Sequence, residues 1–238
     1  MDLYYKARMN VITMLQSRKY RKSTPDGTVI MDDDGLDLST LTLSPEEFST
    51  IFDRIDSGKL DITGLYDMRP STPRKVYVKF VSPSVVLSDK SVFMEIIKPI
   101  AEHFEIPVDP KTIIDRLGQY KVIIIYNNEI KEDKYDASSL EDKWSHKFEF
   151  FEIHRLQYNP TKHSVLLPNY QYELLSGAEL VDIRREFERK KMVAILKGDA
   201  TNRYFDGQVG DIYKISRGAD GITFRIVVPG TIKLKKKK

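Results

Sequence analysis

Apolar residues recur at three- and four-residue intervals in several stretches of the first half of the chain, which is the spacing of one buried helix face. The first stretch lies within the first twenty residues and has apolar side chains at Tyr4, Ala7, Val11, Met14 and Leu15. Ser44-Pro45-Glu46-Glu47 predicts the start of a second helix, with Ser as the cap, Pro at the first helical position and Glu47 reaching back to the cap. Ser88-Asp89 predicts the cap of a third, which Pro99 is expected to kink or shorten.

Alternating or continuous apolar runs predict strands at 60–65, 75–81, 122–126 and 148–154. In the second run Val76, Val78 and Phe80 alternate with other residues, so one buried face is expected. The third run reads VIIIY and is apolar throughout, as is typical of a central strand covered on both faces. Helices that alternate with such strands predict an α/β domain over residues 1–155.

The composition changes near residue 155. Residues 156–162 are mostly polar, contain Asn159-Pro160, and are interpreted as a linker. Beyond them, Ser176 and Glu179 form a capping-box pattern, and strands are predicted at 192–196, 211–216 and 222–228. A chain of 238 residues is long enough for two domains. The predicted fold class is α+β with two domains, the second spanning 163–230 and ending in a basic tail at 231–238.

Charge is concentrated at the end of the chain. The net charge is +3, from 38 basic and 35 acidic residues, and five lysines lie in the last six positions, so the body without them carries −2. The tail is expected to be solvated, or to contact phosphates or serve as a nuclear address. No cysteine is present, which excludes disulfides and thiolate metal sites and fits an intracellular protein. No apolar run approaches the roughly 20 residues of a membrane span, and the first residues lack a signal-peptide pattern, so no membrane partner is expected.

One catalytic class has a specific form in this sequence. Asp61 ends a predicted strand and Lys79 lies on the next, as in a metal-dependent nuclease whose acids hold a divalent ion. Tyr77 stands where the second carboxylate of such a site is needed, and the four histidines lack zinc-ligand spacing. No catalytic residue, metal or cofactor is therefore expected, and a nuclease or DNA-processing factor stays the alternative hypothesis.

The segment DATNRYFDGQVGDIYKI, residues 199–215, has the features of an interaction surface. Asp199 is expected to cap the turn that follows, and Gly207 and Gly210 to permit backbone with positive φ. The turn would then hold Arg203 and Tyr204, two residue types that anchor protein interfaces, in a fixed pose.

Three further cations, Lys214, Arg217 and Arg225, are predicted to lie on neighbouring strands and to present positive charge together. The structural alternative is that Tyr204 fills the core of the small domain and that Arg203 pairs with Asp199. Specific nucleic-acid recognition has little support, because the body of the chain is not basic.

The segment KGDATNRYFDGQVGDIYKISR, followed by GITFRIV, resembles the C-terminal signature of the fifth-subunit family of eukaryotic RNA polymerases, which includes the archaeal H-type counterpart. That signature runs D-P-x-x-R-Y-x-G-x-x-x-G-x-V-x-K-I-x-R, then a turn, then Y-R-L-V. The matching positions are Asp199, Arg203, Tyr204, Gly210, Ile212, Lys214, Ile215, Arg217 and Arg225. Ala200 replaces the proline, the first glycine is displaced to Gly207, and the turn after Arg217 is about four residues shorter than the family's.

Weaker similarity extends over the rest of the chain. His163 and Pro168 resemble the family's H-x-L-x-P segment, and KARMNVITMLQSRKY resembles its opening helix. LDITGL, VYVKF and KVIIIY follow the order of its strands. Archaeal members lack this N-terminal part, so the chain is similar to the eukaryotic or large-DNA-virus form.

The resemblance implies a non-catalytic polymerase subunit without a cofactor. Its C-terminal domain would dock on the largest subunit through Asp199, Arg203, Tyr204, Gly210, Lys214, Arg217 and Arg225. Its N-terminal domain would have a degenerate, restriction-endonuclease-like fold and form part of the jaw beside downstream duplex DNA, contacted weakly and without sequence preference. Exposed cations that could face phosphates there are Arg69, Arg74 and Lys75. The expected location is the nucleus, or a cytoplasmic virus factory or virion for the viral form.

Overall fold

Two sheets organise the chain, and each belongs to one of the two units into which it divides, Met1–Gln157 and Tyr158–Lys238. The computed structural model describes residues 2–52, 57–69, 72–82, 85, 87, 89–127, 140, 144, 148–160, 170–187, 192–218 and 221–230. Each unit combines a sheet with helices, so the predicted α+β class is confirmed at this level. None of the described helices is both long enough and apolar enough to span a bilayer.

The N-terminal unit is a five-stranded mixed sheet with helices. Its helices are α1 Asp2–Ser17, α2 Pro45–Phe52, α3 Lys90–His103 and α4 Ile113–Leu117. Its strands are β1 Arg21–Lys22, β2 Ile62–Asp67, β3 Arg74–Phe80, β4 Lys121–Tyr126 and β5 Phe148–Glu152. They lie side by side in chain order, antiparallel from β1 to β3 and parallel from β3 to β5. Single turns of 3-10 helix occur at Asp33–Leu36, Ser39–Leu41, Ser57–Leu60 and Ile153–Leu156.

The helix starts predicted from the sequence are confirmed. At the start of α2, the Glu47 carboxylate accepts from the Ser44 N–H at 2.8 Å, and Ser44 Oγ accepts from the Glu47 N–H at 3.2 Å. Asp89 caps α3 by accepting from the N–H groups of Ser91 and Val92. The expected shortening of α3 at Pro99 is wrong, because the helix continues to His103. The apolar face that runs past the proline, with Ile97 and Ile100 both buried, offsets the lost backbone hydrogen bond.

The core follows the strands. All five apolar residues predicted on the inner face of α1 are buried, and so is the whole VIIIY run of β4. The predicted buried face of β3 is confirmed, because Val76, Val78 and Phe80 are all buried. The other face differs along its length: Lys75 is exposed, whereas Tyr77 is only 7% exposed and meets the rings of His103 and Phe104 edge-on. Tyr77 is covered because it packs against the buried side of α3.

The helix predicted near Leu140 and Trp144 lies mostly outside the described residues. Both of these side chains are buried. The Trp144 indole stacks on Phe93 at a centroid distance of 4.0 Å and donates its N–H to the Leu87 carbonyl at 3.3 Å. The chain's single tryptophan therefore reports on the core of the N-terminal unit.

The C-terminal unit is a four-stranded sheet with a helix on each face. Its elements are β6 Gln171–Leu174, α5 Gly177–Phe187, β7 Val193–Leu196, α6 Ala200–Phe205, β8 Ile212–Ser216 and β9 Ile222–Val228. The strand order is β6-β8-β9-β7, and only β7 and β9 run parallel. The three strands predicted here are confirmed, whereas β6 and α6 were not predicted. The division into a linker at 156–162 and a tail at 231–238 stays a prediction, and the tail lies outside the described residues.

Strand register assigns the side chains of this sheet to two faces. Phe205 of α6 packs near the rings of Tyr172 and Tyr213, so the face that carries these residues is called the α6 face. It also carries Ile215, Thr223, Arg225 and Val227, by their pairing across β8 and β9. On the opposite face, called the α5 face, Phe187 meets Phe224 at 5.8 Å. A small buried cluster closes the α6 side, formed by Ile195, Tyr213, Ile215 and Val227.

Candidate functional site

The predicted cap at Asp199 is confirmed. Its carboxylate accepts from the Thr201 N–H at 2.9 Å, and its carbonyl accepts from the Arg203 N–H at 2.8 Å. This satisfies donors at the start of α6 that a helix leaves without an internal partner. The acid of the signature therefore has a local structural role, and its helix fixes the positions of the residues that follow.

The turn after α6 needs two unusual residues, but one differs from the prediction. Positive φ occurs at Asp206 (56°) and at Gly210 (94°), whereas Gly207 does not have it. Gly207 is required for space, because a Cβ there would overlap Asn202 Oδ1 and the Tyr213 hydroxyl. Asp is among the few non-glycine residues that enter the left-handed region readily, and it takes the role expected of Gly207.

Asn202 organises this turn and was missed by the sequence analysis. It is only 1% exposed. Its amide nitrogen donates to the carbonyls of Lys197 at 2.9 Å and Gly207 at 3.1 Å, and its Oδ1 accepts from the Tyr213 hydroxyl at 2.9 Å. The available signal was a small amide between a capping acid and a glycine, a setting in which Asn often replaces backbone hydrogen bonds.

Tyr204 lies in the interior of its unit. It is 4% exposed, and its hydroxyl accepts from the Asn159 amide nitrogen at 3.0 Å. This placement favours the structural alternative for Tyr204, while Arg203 beside it is half-buried. A partner-binding role for these two residues stays a prediction.

The structure separates the three cations that were expected to act together. Lys214 lies on the α5 face, where its ammonium pairs with Glu179 at 2.8 Å. The hydrogen bond and charge of Glu179 raise the pKa of Lys214 above its ordinary value. Nearby, the Gly210 carbonyl accepts from the Arg184 guanidinium at 3.0 Å. Lys214 and Arg184 are thus both engaged within the unit.

Arg217 and Arg225 belong to the other face. Arg225 lies opposite Tyr213 on one side and beside Val193 on the other. The Arg217 guanidinium lies over the Tyr170 ring, 5.1 Å from its centroid, a cation–π contact. Burial raises the pKa of Tyr172; among the charged groups that also act on it, Arg225 and Arg217 lower this pKa and Asp199 raises it.

The N-terminal cations predicted near DNA form a separate group. The Arg69 guanidinium binds the fully buried Asp67 at 2.9 Å and donates to the Tyr20 hydroxyl at 2.9 Å. Arg74 reaches the same carboxylate at 3.4 Å, whereas Lys75 on the same strand is exposed. Burial opposes ionisation of Asp67, but the hydrogen bonds and charge of Arg69 outweigh it and lower the pKa of that carboxyl.

Asp61 is held by donors rather than by other acids. Its Oδ2 accepts from the Tyr77 hydroxyl at 2.9 Å and the Lys79 ammonium at 2.8 Å, and its Oδ1 from the Phe80 N–H at 2.9 Å. Burial raises the pKa of Asp61, against the effect of Lys79, and burial beside Asp61 also raises that of Tyr77. Among the described residues, no group of three acids or histidines is placed to hold a metal ion.

Comparison with known proteins extends these observations. No protein-family model matches the chain. The chain is 28% identical over 219 residues to the DNA-directed RNA polymerase V subunit 5A of Arabidopsis thaliana, covering 90% of this chain and 81% of the plant protein. This similarity supports a role for the chain as a subunit of an RNA polymerase. At this coarse level it supports a structural role in the polymerase. The resemblance found in the sequence is confirmed: over most of its length the chain is similar to a eukaryotic protein of the fifth-subunit family of DNA-directed RNA polymerases.

Proposed function

We propose that this chain is a non-catalytic subunit of a multisubunit DNA-directed RNA polymerase, that its C-terminal unit docks on the largest subunit, and that its N-terminal unit forms part of the downstream-DNA jaw. The observation that carries the proposal is the similarity to a polymerase subunit over 90% of the chain, which includes both units. The proposed location is the nucleus, in keeping with the plant relative. For a viral protein, the corresponding location would be a cytoplasmic virus factory or the virion.

The C-terminal unit has features suited to docking. Asp199, Asn202 and Gly207 fix the turn that follows β7. Arg217 and Arg225 lie on one face of the adjoining sheet and have no ion pair among the described residues. Rigid presentation of arginine is typical of the residues that dominate protein interfaces.

The Asp61 cluster supports a degenerate, nuclease-like N-terminal domain. A metal-dependent nuclease needs carboxylates that converge on a cation, and here an ammonium and a phenol occupy that position. Both oxygens of Asp61 already accept hydrogen bonds within the unit. This favours the polymerase-subunit hypothesis over the alternative of a stand-alone nuclease.

Weak contact with duplex DNA is proposed for the exposed Lys75 and the partly exposed Arg74. Arg69 is less suited, because its guanidinium is bound to Asp67 and Tyr20. Contacts of this kind add affinity that falls with salt and carry no sequence information.

The test is reconstitution of the full-length chain with the largest polymerase subunit of the same organism. Co-expression followed by size-exclusion chromatography is expected to give a stoichiometric complex, while each unit stays folded. Separation of the two proteins at all salt concentrations would contradict the proposal.

A parallel assay distinguishes the alternative. The purified chain is incubated with plasmid DNA and Mg²⁺ or Mn²⁺, and the Lys79→Ala variant serves as the control. We expect no cleavage above that of the control. Cleavage by the parent chain that the variant loses would favour the nuclease.

A further inference from the structure

The three signature cations of the C-terminal sheet differ in how their charge is compensated. Lys214 pairs with Glu179 at 2.8 Å. Within the described part of the chain, neither Arg217 nor Arg225 has an ion pair, although both lie on the α6 face beside Tyr172. Two guanidinium groups on one face therefore carry positive charge that no acid among the described residues neutralises by an ion pair.

The same face carries buried polar atoms without partners. Arg217 Nε and Thr223 Oγ1 are both shielded from water, and neither has a hydrogen-bond partner among the described residues. Thr223 lies opposite Ile215 in the register, two residues before Arg225. Native proteins rarely leave buried donors and acceptors unmatched, so each such group calls for an explanation. One explanation is a bound partner that shifts these side chains and supplies oxygen atoms for hydrogen bonds. A partner with acidic side chains would also match the positive charge of this face.

We infer that the α6 face around Arg217, Thr223 and Arg225 binds a carboxylate-bearing segment of the partner polypeptide. This inference rests on the proposed function and specifies the chemistry of its docking site. A planar guanidinium matches a carboxylate in two parallel hydrogen bonds, and the Arg217 guanidinium lies over the Tyr170 ring, 5.1 Å from its centroid. Val193 lies beside Arg225 and is 61% exposed. We therefore expect the bound segment to have an apolar side chain next to its acidic residues.

A polypeptide fits this face better than nucleic acid does. Over the full sequence, residues 158–238 contain 16 basic and nine acidic side chains, and 11 and nine when the five lysines of the tail are left out. The body of this unit is therefore close to neutral. Nucleic-acid surfaces are strongly basic and gain affinity from many phosphate contacts, which two cations do not provide.

The experiment measures the affinity of the full-length chain for the largest polymerase subunit by biolayer interferometry. The variants are Arg217→Gln and Arg225→Gln, and Arg185→Gln is the matched control because it removes the same charge from an exposed residue of α5, on the opposite face of the sheet. We expect each of the two α6-face variants to weaken binding at least fivefold and the control variant less than twofold. Hydrogen exchange of residues 192–228 verifies that each variant is folded.

A photo-crosslinking amino acid at Val193 identifies the segment directly. We expect the cross-linked peptide of the partner to contain Asp or Glu within a few residues of the attachment point. A cross-linked peptide without acids would overturn the inference. Binding of short duplex DNA by the parent chain that both α6-face variants lose would overturn it in favour of a nucleic-acid ligand.

Two negative results have different meanings. If the parent chain binds the largest subunit and the variants at Arg217 and Arg225 bind equally well, or if Arg185→Gln weakens binding as much as they do, the inference is wrong and the proposed function stands. If the parent chain does not bind the largest subunit at all, the proposed function fails and the inference fails with it.

Discussion

The two units differ in how completely the cations of interest are paired with acids. In the N-terminal unit the buried acids are matched by cations of the same unit, with distances of 2.8 Å for Asp61–Lys79, 2.9 Å for Asp67–Arg69 and 2.7 Å for Glu149–Arg18. In the C-terminal unit two arginines of the family signature lack such a match among the described residues. A basic residue in the sequence is therefore not by itself a surface for a partner.

The difference teaches how to rank the candidate residues. A buried charge is tolerated only when it is paired and hydrogen-bonded, so Arg69 is explained by the stability of its own unit. In the part of the chain that the structure describes, Arg225 has no ion pair that would explain it in this way. The two units also differ in the size of their apolar cores. Among the described residues, the large buried cluster of the N-terminal unit includes side chains between Tyr77 and Phe150 in sequence, whereas the buried cluster of the C-terminal unit contains four side chains. A unit with a small core, and with buried polar groups that lack hydrogen-bond partners, gains the most stability from a bound partner.

The largest expected effect concerns the ion pairs that Asp67 forms within the N-terminal unit. Asp67→Asn leaves Arg69 and Arg74 without their carboxylate, and we expect the free energy of unfolding to fall by about 3 kcal/mol. Urea unfolding followed by Trp144 fluorescence reports on this unit. Arg74→Gln is the milder control, at about 1 kcal/mol, because its contact is longer and partly exposed. Equal effects of the two would contradict the central role of Asp67.

The second prediction asks why the turn after α6 needs glycine at positions 207 and 210. Gly207→Ala forces a Cβ against Asn202 and Tyr213, and we expect a loss of about 2 kcal/mol. Gly210→Ala has open space but positive φ, so its cost is about 1 kcal/mol. Hydrogen exchange of peptides from 192–228 measures both. The reverse order would mean that backbone conformation, and not space, explains the first glycine.

The acid sensitivity of the N-terminal unit is the third expectation. Because the pKa of Asp67 is lowered in the folded state, its contribution is complete above the ordinary carboxyl pKa of about 4 and is lost as pH falls through the lower folded value. Asp61 acts in the opposite direction, since burial raises its pKa. Asp67→Asn should therefore flatten the loss of stability below about pH 4, measured by Trp144 fluorescence. An unchanged profile would show that other carboxylates dominate.

The smallest effect is the most direct test of the comparison. If Arg217 and Arg225 serve a partner and not the fold, each substitution by Gln should change the stability of the isolated chain by less than about 0.5 kcal/mol. Hydrogen exchange of 192–228 provides the measurement. A loss of several kcal/mol would show that these arginines, like Arg69, are internal.

Local signals in the sequence predicted most of the fold. The apolar stripe of α1, the capping box at Ser44 and the continuous run of β4 each depend on neighbouring residues, and each is confirmed. The effect of Pro99 was misjudged, and the burial of Tyr77 was not predicted, because tertiary packing decided both outcomes. The short helix α6 was not predicted, since six residues give too little periodicity to detect.

The candidate site could be predicted only in part. The sequence indicated Asp199 as a cap and Gly210 as a positive-φ residue, and both are confirmed. It could not indicate that Lys214 and Arg225 occupy opposite faces, because that depends on the register between β8 and β9. Nor could it indicate Asn202, whose partners are backbone carbonyls brought together by the turn.

The strand order β6-β8-β9-β7 has a consequence for synthesis of the protein. The ribosome makes β7 well before β9, yet β9 is its neighbour in the sheet and also contributes Arg225. A nascent chain that stops before Ile222 leaves β7 with no strand beside it and half of the proposed contact missing. The proposed docking face therefore forms only when the sheet is complete.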